Sequence, residues 1–261
     1  MTDWMYVDAF VGAGFLLVIA GLIAAYAFRS LTVGRALDAR IEREPGTMLL
    51  GRFPMEAIHW AARAVGWRLV RWRVSPDALT LTSLAITLAS LPLAAFGYHL
   101  LAGCVFLLGA AFDALDGIVA RARNMASPAG AVLDAIVDRY ADAAPLIGLA
   151  LYFRHSVWSL SLVLAALIGS MMVSYVRAKH EGQGLELPGW IMRRPERIAY
   201  LCAGLILGPL IGLASLPGVT ADRVILGFVG LIALLSNTAA TRLTLQGRAQ
   251  LLDSPPRRPR R

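Results

Sequence analysis

Seven stretches of this chain run apolar for about 20 residues, the length an α-helix needs to cross the hydrocarbon layer of a bilayer. They lie at 9–28 and near 76–98, 100–121, 128–153, 156–179, 196–214 and 222–242. A soluble core does not explain them, because the apolar residues come in continuous runs rather than one-sided stripes. Pro92, Pro145 and Pro209 fall inside the runs, which packed membrane helices tolerate. The fold expected is all-α and integral to a membrane. Composition agrees, with 57% hydrophobic and 16% charged residues, where a soluble domain carries about 25% charged. The same apolar content excludes intrinsic disorder.

The net charge is +8, and Lys179 is the sole lysine among the 25 basic residues. In a membrane protein such charge reports sidedness and contact with anionic lipid before it reports nucleic acid. Asp3 and Asp8 precede the first run, and Arg29, Arg35, Arg40 and Arg43 follow it. That order is the reverse of a signal peptide. Segments 98–101 and 215–221 carry no Lys or Arg, whereas 121–123, 177–197 and 255–261 are strongly basic. The positive-inside rule then places the N-terminus outside the cell inner (cytoplasmic) membrane and the C-terminus in the cytoplasm. Between the first two runs, 51–74 is amphipathic. Ile58, Ala61, Ala62, Val65, Leu69 and Trp72 fall at helical spacing, with Arg63, Arg68, Arg71 and Arg73 between them. With Trp60, Trp67 and Trp72 suited to the headgroup level, this reads as a helix lying on the cytoplasmic membrane surface.

The expected organisation is an N-terminal transmembrane helix and linker over 1–50, an interfacial helix over 51–75, a six-span unit over 76–245, and a basic tail over 246–261. The PPRRPRR ending is expected to be disordered, and no inverted repeat suggests a transporter built of two halves. Cys104 and Cys202 sit in apolar runs and read as small packing residues. His59, His99, His155 and His180 lack zinc-site spacing.

The stretch from Phe112 to Asp142 carries the chemistry. Asp113 and Asp116 are three apart at the cytoplasmic end of one span; Asp134 and Asp138 are four apart, a turn into the next. Both spacings put the side chains on one helix face. Ser127 and Pro128 suit the N-cap and first residue of the second helix, so the two helices form a hairpin on which four carboxylates converge. An ionised Asp within a span costs roughly 2.5–3.5 kcal/mol, so four cost on the order of 10 kcal/mol. Arg121 and Arg139 cannot neutralise four carboxylates. Water, protons or divalent metal must do so, and clustered hard oxygen ligands favour Mg²⁺, Mn²⁺ or Ca²⁺. Four carboxylates match two metals clamping a phosphoryl displacement. Gly117 permits close approach of a nucleotide, Gly130 lies where helix N–H groups meet an anion, and Arg121 can neutralise a phosphate.

At these residues the chain resembles the CDP-alcohol phosphotransferase family, whose pattern is DxxDG-xx-AR-x8-G-xxx-D-xxx-D. Asp113, Asp116, Gly117, Ala120, Arg121, Gly130, Asp134 and Asp138 meet it without a departure in spacing. The resemblance implies a six-helix core over about 76–242; the N-terminal span and the surface helix extend beyond that core, and the resemblance says nothing about them. It implies two Mg²⁺ or Mn²⁺ ions held by the four aspartates, with Asp138 also the general base. Gly117, Ala120, Arg121, Ser127 and Gly130 then match positions beside the CDP-linked lipid. Ser75, Pro76, Asp77 and Thr80 resemble the family's (S/T)PN-xx-T segment, which implies that Pro76, Asp77 and Thr80 also bind the CDP-linked lipid, with Asp77 where Asn is commoner. The implied reaction moves the phosphatidyl group of CDP-diacylglycerol to an acceptor hydroxyl and releases CMP, as in phospholipid biosynthesis. Family members often pair through core spans, so a homodimer is one expected assembly; no nucleic-acid partner is expected.

The acceptor is expected from the basic residues near 174–197. Arg177, Lys179, Arg193, Arg194 and Arg197 bring more positive charge than serine or choline would need, whereas a phosphorylated polyol would use it. The SYxRAxxE and RPxR strings resemble those of phosphatidylinositol phosphate synthases. Ser174, Arg177, Pro195 and Arg197 match their acceptor positions, with Arg177 where Lys is frequent. Inositol phosphate leads and glycerol 3-phosphate follows. The other classes weighed are a cation transporter using the Asp cluster and a non-catalytic protein that binds CDP-lipid. The apolar outer halves of 76–98, 128–153 and 222–242 disfavour a translocation path.

Overall fold

The computed structural model describes residues 3–32, 53–185, 192–214 and 217–253. Among them are eight helices and no strand: α1 (Asp3–Thr32), α2 (Phe53–Arg71), α3 (Pro76–Ala95), α4 (His99–Ala122), α5 (Pro128–Tyr152), α6 (Val157–Glu181), α7 (Arg194–Leu213) and α8 (Ala221–Asp253). Six of these, all but α2 and α5, are long and apolar enough to cross a membrane. The chain is an all-α, multi-pass membrane protein.

The sequence counted α5 as a seventh apolar span. Its 25 residues suffice for a crossing, but Asp134, Asp138, Arg139 and Asp142 cost it the apolar character of its neighbours. The last helix also outruns its expected end near 242 and reaches Asp253. The linker over 33–52 and the PPRRPRR segment fall outside the described residues.

Helix α3 packs against both α4 and α5, α6 lies along α8, and α7 packs on α4 and α8. The main core joins Phe106, Leu149, Phe153, Leu205, Ile225 and Val229, all buried. Close approach depends on small residues, as in other membrane bundles. A Cβ at Gly148 of α5 would stand 2.4 Å from the Leu91 carbonyl oxygen of α3, so no larger residue fits that crossing unmoved.

Local chemistry sets the helix ends on either side of the α2–α3 and α4–α5 turns. After α2, Arg73 takes the left-handed conformation (φ 56°). The N–H groups of Arg73 and Val74 return to the carbonyls of Val70 and Leu69. After α4, Asn124 does the same (φ 53°), with Asn124 and Met125 donating to Arg121 and Ala120. Both are Schellman endings without glycine. Ser75 and Ser127 then start α3 and α5 as N-caps, accepting from Ala78 N at 3.3 Å and Gly130 N at 3.1 Å. Pro76 and Pro128 occupy the first turns as the sequence predicts.

The N-terminal helix is tied to the core at both ends. Near its start, buried Asp8 accepts from the backbone N–H groups of Leu100 at 3.2 Å and Leu101 at 2.8 Å. Tyr98, the residue at the N-cap of α4, makes no side-chain cap, so a residue read only as a flanking charge caps another helix. Near the other end, the Tyr26 hydroxyl donates to Glu56 of α2 at 3.1 Å. The apolar face of α2 also sits differently from the expected stripe. Ala62, Gly66, Leu69 and Val70 turn inward toward Leu79, Leu115, Ile118 and Val119. Val65, Trp67 and Trp72 stay exposed. Gly66 sits on the inward face, where an added Cβ would stand 2.8 Å from Ile118 Cγ2.

Candidate active site

The α4–α5 hairpin brings the carboxylates together. One oxygen each from Asp113, Asp116 and Asp134 lies within 4.8 Å of the others. Near a protein surface, each ionised pair about 4 Å apart repels by roughly 4 kcal/mol, so the arrangement calls for a cation. Asp113 Oδ1 is buried with no hydrogen-bond partner among the described residues, which suits an ion rather than a solvated carboxylate. An all-oxygen donor set of this kind fits Mg²⁺, Mn²⁺ or Ca²⁺.

Neighbouring helices aim these side chains. The Thr80 hydroxyl of α3 approaches Asp116 Oδ2 at 2.5 Å and the Pro76 carbonyl at 3.1 Å. Since one hydroxyl has one proton, donation to the carboxylate is the stronger option. Gly117 lies under the Arg121 side chain, whose Nη1 would stand 3.1 Å from any added Cβ. The Gly130 N–H is spent on Ser127 rather than left open to an anion. Asp77 and Ser127 are exposed, and Ala120 is half-buried.

Asp138 lies beside the three-carboxylate group, joined to it by one arginine. Arg194, at the start of α7, places Nη1 2.9 Å from Asp138 Oδ1 and 2.6 Å from Asp113 Oδ2. Its Nε is 3.2 Å from Asp142 Oδ1. Arg139 is a more distant neighbour of Asp138, at 3.8 Å. Sequence reasoning set only Arg121 and Arg139 against the charge of the carboxylates. It grouped Arg194 with the acceptor charges, because a contact across 81 residues leaves no local spacing signal. It also left Asp142 without a role. There a signal existed: Asp142 is four residues past Asp138, one turn along the same helix face.

The expected acceptor residues form a second group. Arg197 is 5% exposed. It donates to Asp142 Oδ2 at 2.7 Å, Ser174 Oγ at 3.1 Å and the Met192 carbonyl at 2.9 Å. Arg177 sits among Arg193, Arg197, Glu181 and Glu196. Pro195 is exposed in the first turn of α7. Just before it, Met192 holds φ 66°, a costly conformation for a non-glycine residue. Its N–H donates to Glu196 and its carbonyl accepts from Arg197, which together pin it.

Three comparisons with known proteins bear on this arrangement. The phosphatidylinositol phosphate synthase of Mycobacteroides abscessus is 41% identical over 142 residues, which is 53% of this chain and 64% of that protein. The chain thus spans somewhat under two thirds of that relative's length. Among solved structures, the Mycobacterium tuberculosis phosphatidylinositol phosphate synthase with CDP-DAG bound aligns with a TM-score of 0.63 at 27% identity, covering 71% of this chain and 92% of that one. The same enzyme in complex with manganese and citrate gives 0.64 at 27% identity, covering 72% and 88%. The CDP-alcohol phosphatidyltransferase profile matches residues 73–241, from the turn before α3 into α8 and across the whole aspartate hairpin. With more than half its length matched in this way, the chain belongs to the CDP-alcohol phosphatidyltransferase family.

Proposed function

We propose that this protein is a membrane phosphatidyltransferase that moves the phosphatidyl group of CDP-diacylglycerol to the hydroxyl of a phosphorylated polyol and releases CMP. Inositol phosphate is the favoured acceptor and glycerol 3-phosphate the next. The observation that carries the reading is the convergence of Asp113, Asp116 and Asp134 within 4.8 Å, with Asp138 beside them. The names of the relatives support the acceptor, and the CDP-DAG in one neighbour supports the donor.

In this reading Asp113, Asp116, Asp134 and Asp138 hold two divalent ions, Mg²⁺ or Mn²⁺, a choice supported by the manganese in a structural neighbour. Bound there, the ions neutralise the diphosphate and the departing CMP. Thr80 orients Asp116, and Arg121 over Gly117 faces the nucleotide side with Pro76, Asp77, Ala120, Ser127 and Gly130. Asp138 accepts the proton of the acceptor hydroxyl as its oxygen bonds to the phosphorus bearing diacylglycerol. The bond from that phosphorus to the CMP oxygen breaks, and its electron pair leaves with CMP. Ser174, Arg177, Pro195 and Arg197 line the acceptor side, where guanidinium groups suit a phosphate.

The catalytic unit is taken as 76–245, preceded by the membrane helix and linker of 1–50 and the surface helix of 51–75, and followed by the basic tail. The basic segments support an orientation in the inner membrane with the N-terminus outside and the active site facing the cytoplasm. A homodimer is the assembly proposed.

The test is CMP release from CDP-diacylglycerol by purified protein, with Mg²⁺ or Mn²⁺ and a panel of inositol phosphate, glycerol 3-phosphate, inositol and serine. Release is expected with a phosphorylated acceptor and is expected to fall at least a hundredfold in Asp138→Asn. Equal release by both proteins across the panel would exclude the reading.

A further inference from the structure

We propose that Asp142 is a positioning residue that sets the acceptor site against the reacting aspartates by gripping two arginines at once. The inference deepens the proposed function and rests on it.

Asp142 lies one helical turn past Asp138 on α5 and is 6% exposed. A carboxylate this deep is costly unless paired, and it has two cations. Its Oδ1 takes Arg194 Nε at 3.2 Å and its Oδ2 takes Arg197 Nη2 at 2.7 Å. These guanidinium groups have opposite destinations. Arg194 continues to Asp113 and Asp138, the side where bonds are made and broken. Arg197 continues to Ser174 on α6 and to the carbonyl of Met192. One carboxylate therefore fixes the spacing between the group that meets the cluster and the group that borders the acceptor pocket.

A donor remains on the acceptor side as well. Arg197 Nε is buried with no partner among the described residues. The pocket thus keeps an N–H for an anionic group on the acceptor, while Asp142 holds both arginines at fixed angles. A purely structural brace between α5 and α7 would affect folding, not the choice between substrates. A positioning residue acts on the acceptor and spares the CDP-lipid.

The experiment follows CMP release by the full chain in detergent micelles with Mn²⁺, varying inositol phosphate and CDP-diacylglycerol in turn. Asp142→Asn is expected to raise KM for inositol phosphate at least tenfold and leave KM for CDP-diacylglycerol within twofold. Asp142→Glu, which keeps the charge, is expected to recover most of that loss. Arg197→Lys keeps a cation but cannot span Asp142, Ser174 and Met192, so it is expected to give the same split even where Asp142→Asn does not fold. Parallel changes in both Michaelis constants would overturn the inference, as would an unchanged acceptor KM in Arg197→Lys. Wild-type protein that releases no CMP with any phosphorylated acceptor would remove the proposed function and this inference together. An active wild type without the split removes the inference alone.

Discussion

The Thr80 hydroxyl meets Asp116 Oδ2 at 2.5 Å, so a residue in the first turns of α3 aims a carboxylate 36 positions further along the chain. Partners of metal-ligating side chains typically account for 10–100-fold in metal affinity. Thr80→Val, which keeps the shape and loses the hydroxyl, is expected to weaken Mn²⁺ binding by about tenfold or more. Thr80→Ser is expected to stay close to wild type. Mn²⁺ titration followed by electron paramagnetic resonance measures both, and equal affinities would remove Thr80 from the site.

Arg194 competes with any divalent ion for Asp113 and Asp138. Its removal is expected to tighten Mn²⁺ binding while impairing turnover. For Arg194→Gln we expect a gain of about fivefold, equivalent to about 1 kcal/mol of relieved competition. The same titration reads it. Weaker binding in Arg194→Gln would mean that the arginine shapes the site rather than contends for it.

Chelation tests the carboxylate cluster without mutation. Treatment with EDTA is expected to abolish CMP release, and Mg²⁺ or Mn²⁺ to restore it. Because an ion that binds only the folded state stabilises it, saturating Mn²⁺ at roughly 100 times its dissociation constant should add about 2.7 kcal/mol. A thermal melt with and without Mn²⁺ gives that figure. The gain should vanish in a variant lacking both Asp113 and Asp116.

Asp8 offers a prediction far from the chemistry. Loss of a helix cap costs typically about 1 kcal/mol, so Asp8→Ala is expected to lower the unfolding midpoint and speed amide exchange at Leu100 and Leu101. Turnover per folded molecule should remain within twofold. A variant as stable as wild type would show that α4 needs no cap from α1.

Much of this was legible in the sequence because membrane spans and helix faces obey local periodicities. Asp113 with Asp116, and Asp134 with Asp138, could be placed on facing helices from spacing alone, and Ser127 with Pro128 marked where the second helix begins. The missing parts were tertiary. Arg194 reaches the cluster, Thr80 reaches Asp116 and Asp8 reaches Leu101 over separations that no periodicity encodes. The inward face of α2 was displaced for a related reason. Gly66 has no side chain to register as apolar, yet it lies on the buried face against Ile118, while the apolar Val65 beside it is exposed.

The region shared with relatives begins at residue 73, yet one of its helices borrows its first hydrogen-bond acceptor from residue 8. Homology and cooperativity therefore draw different borders on this molecule. A fragment trimmed to the matched stretch would keep every aspartate of the hairpin and still leave two peptide N–H groups without their carboxylate. Anyone seeking a minimal stable piece should start the gene upstream of Asp8.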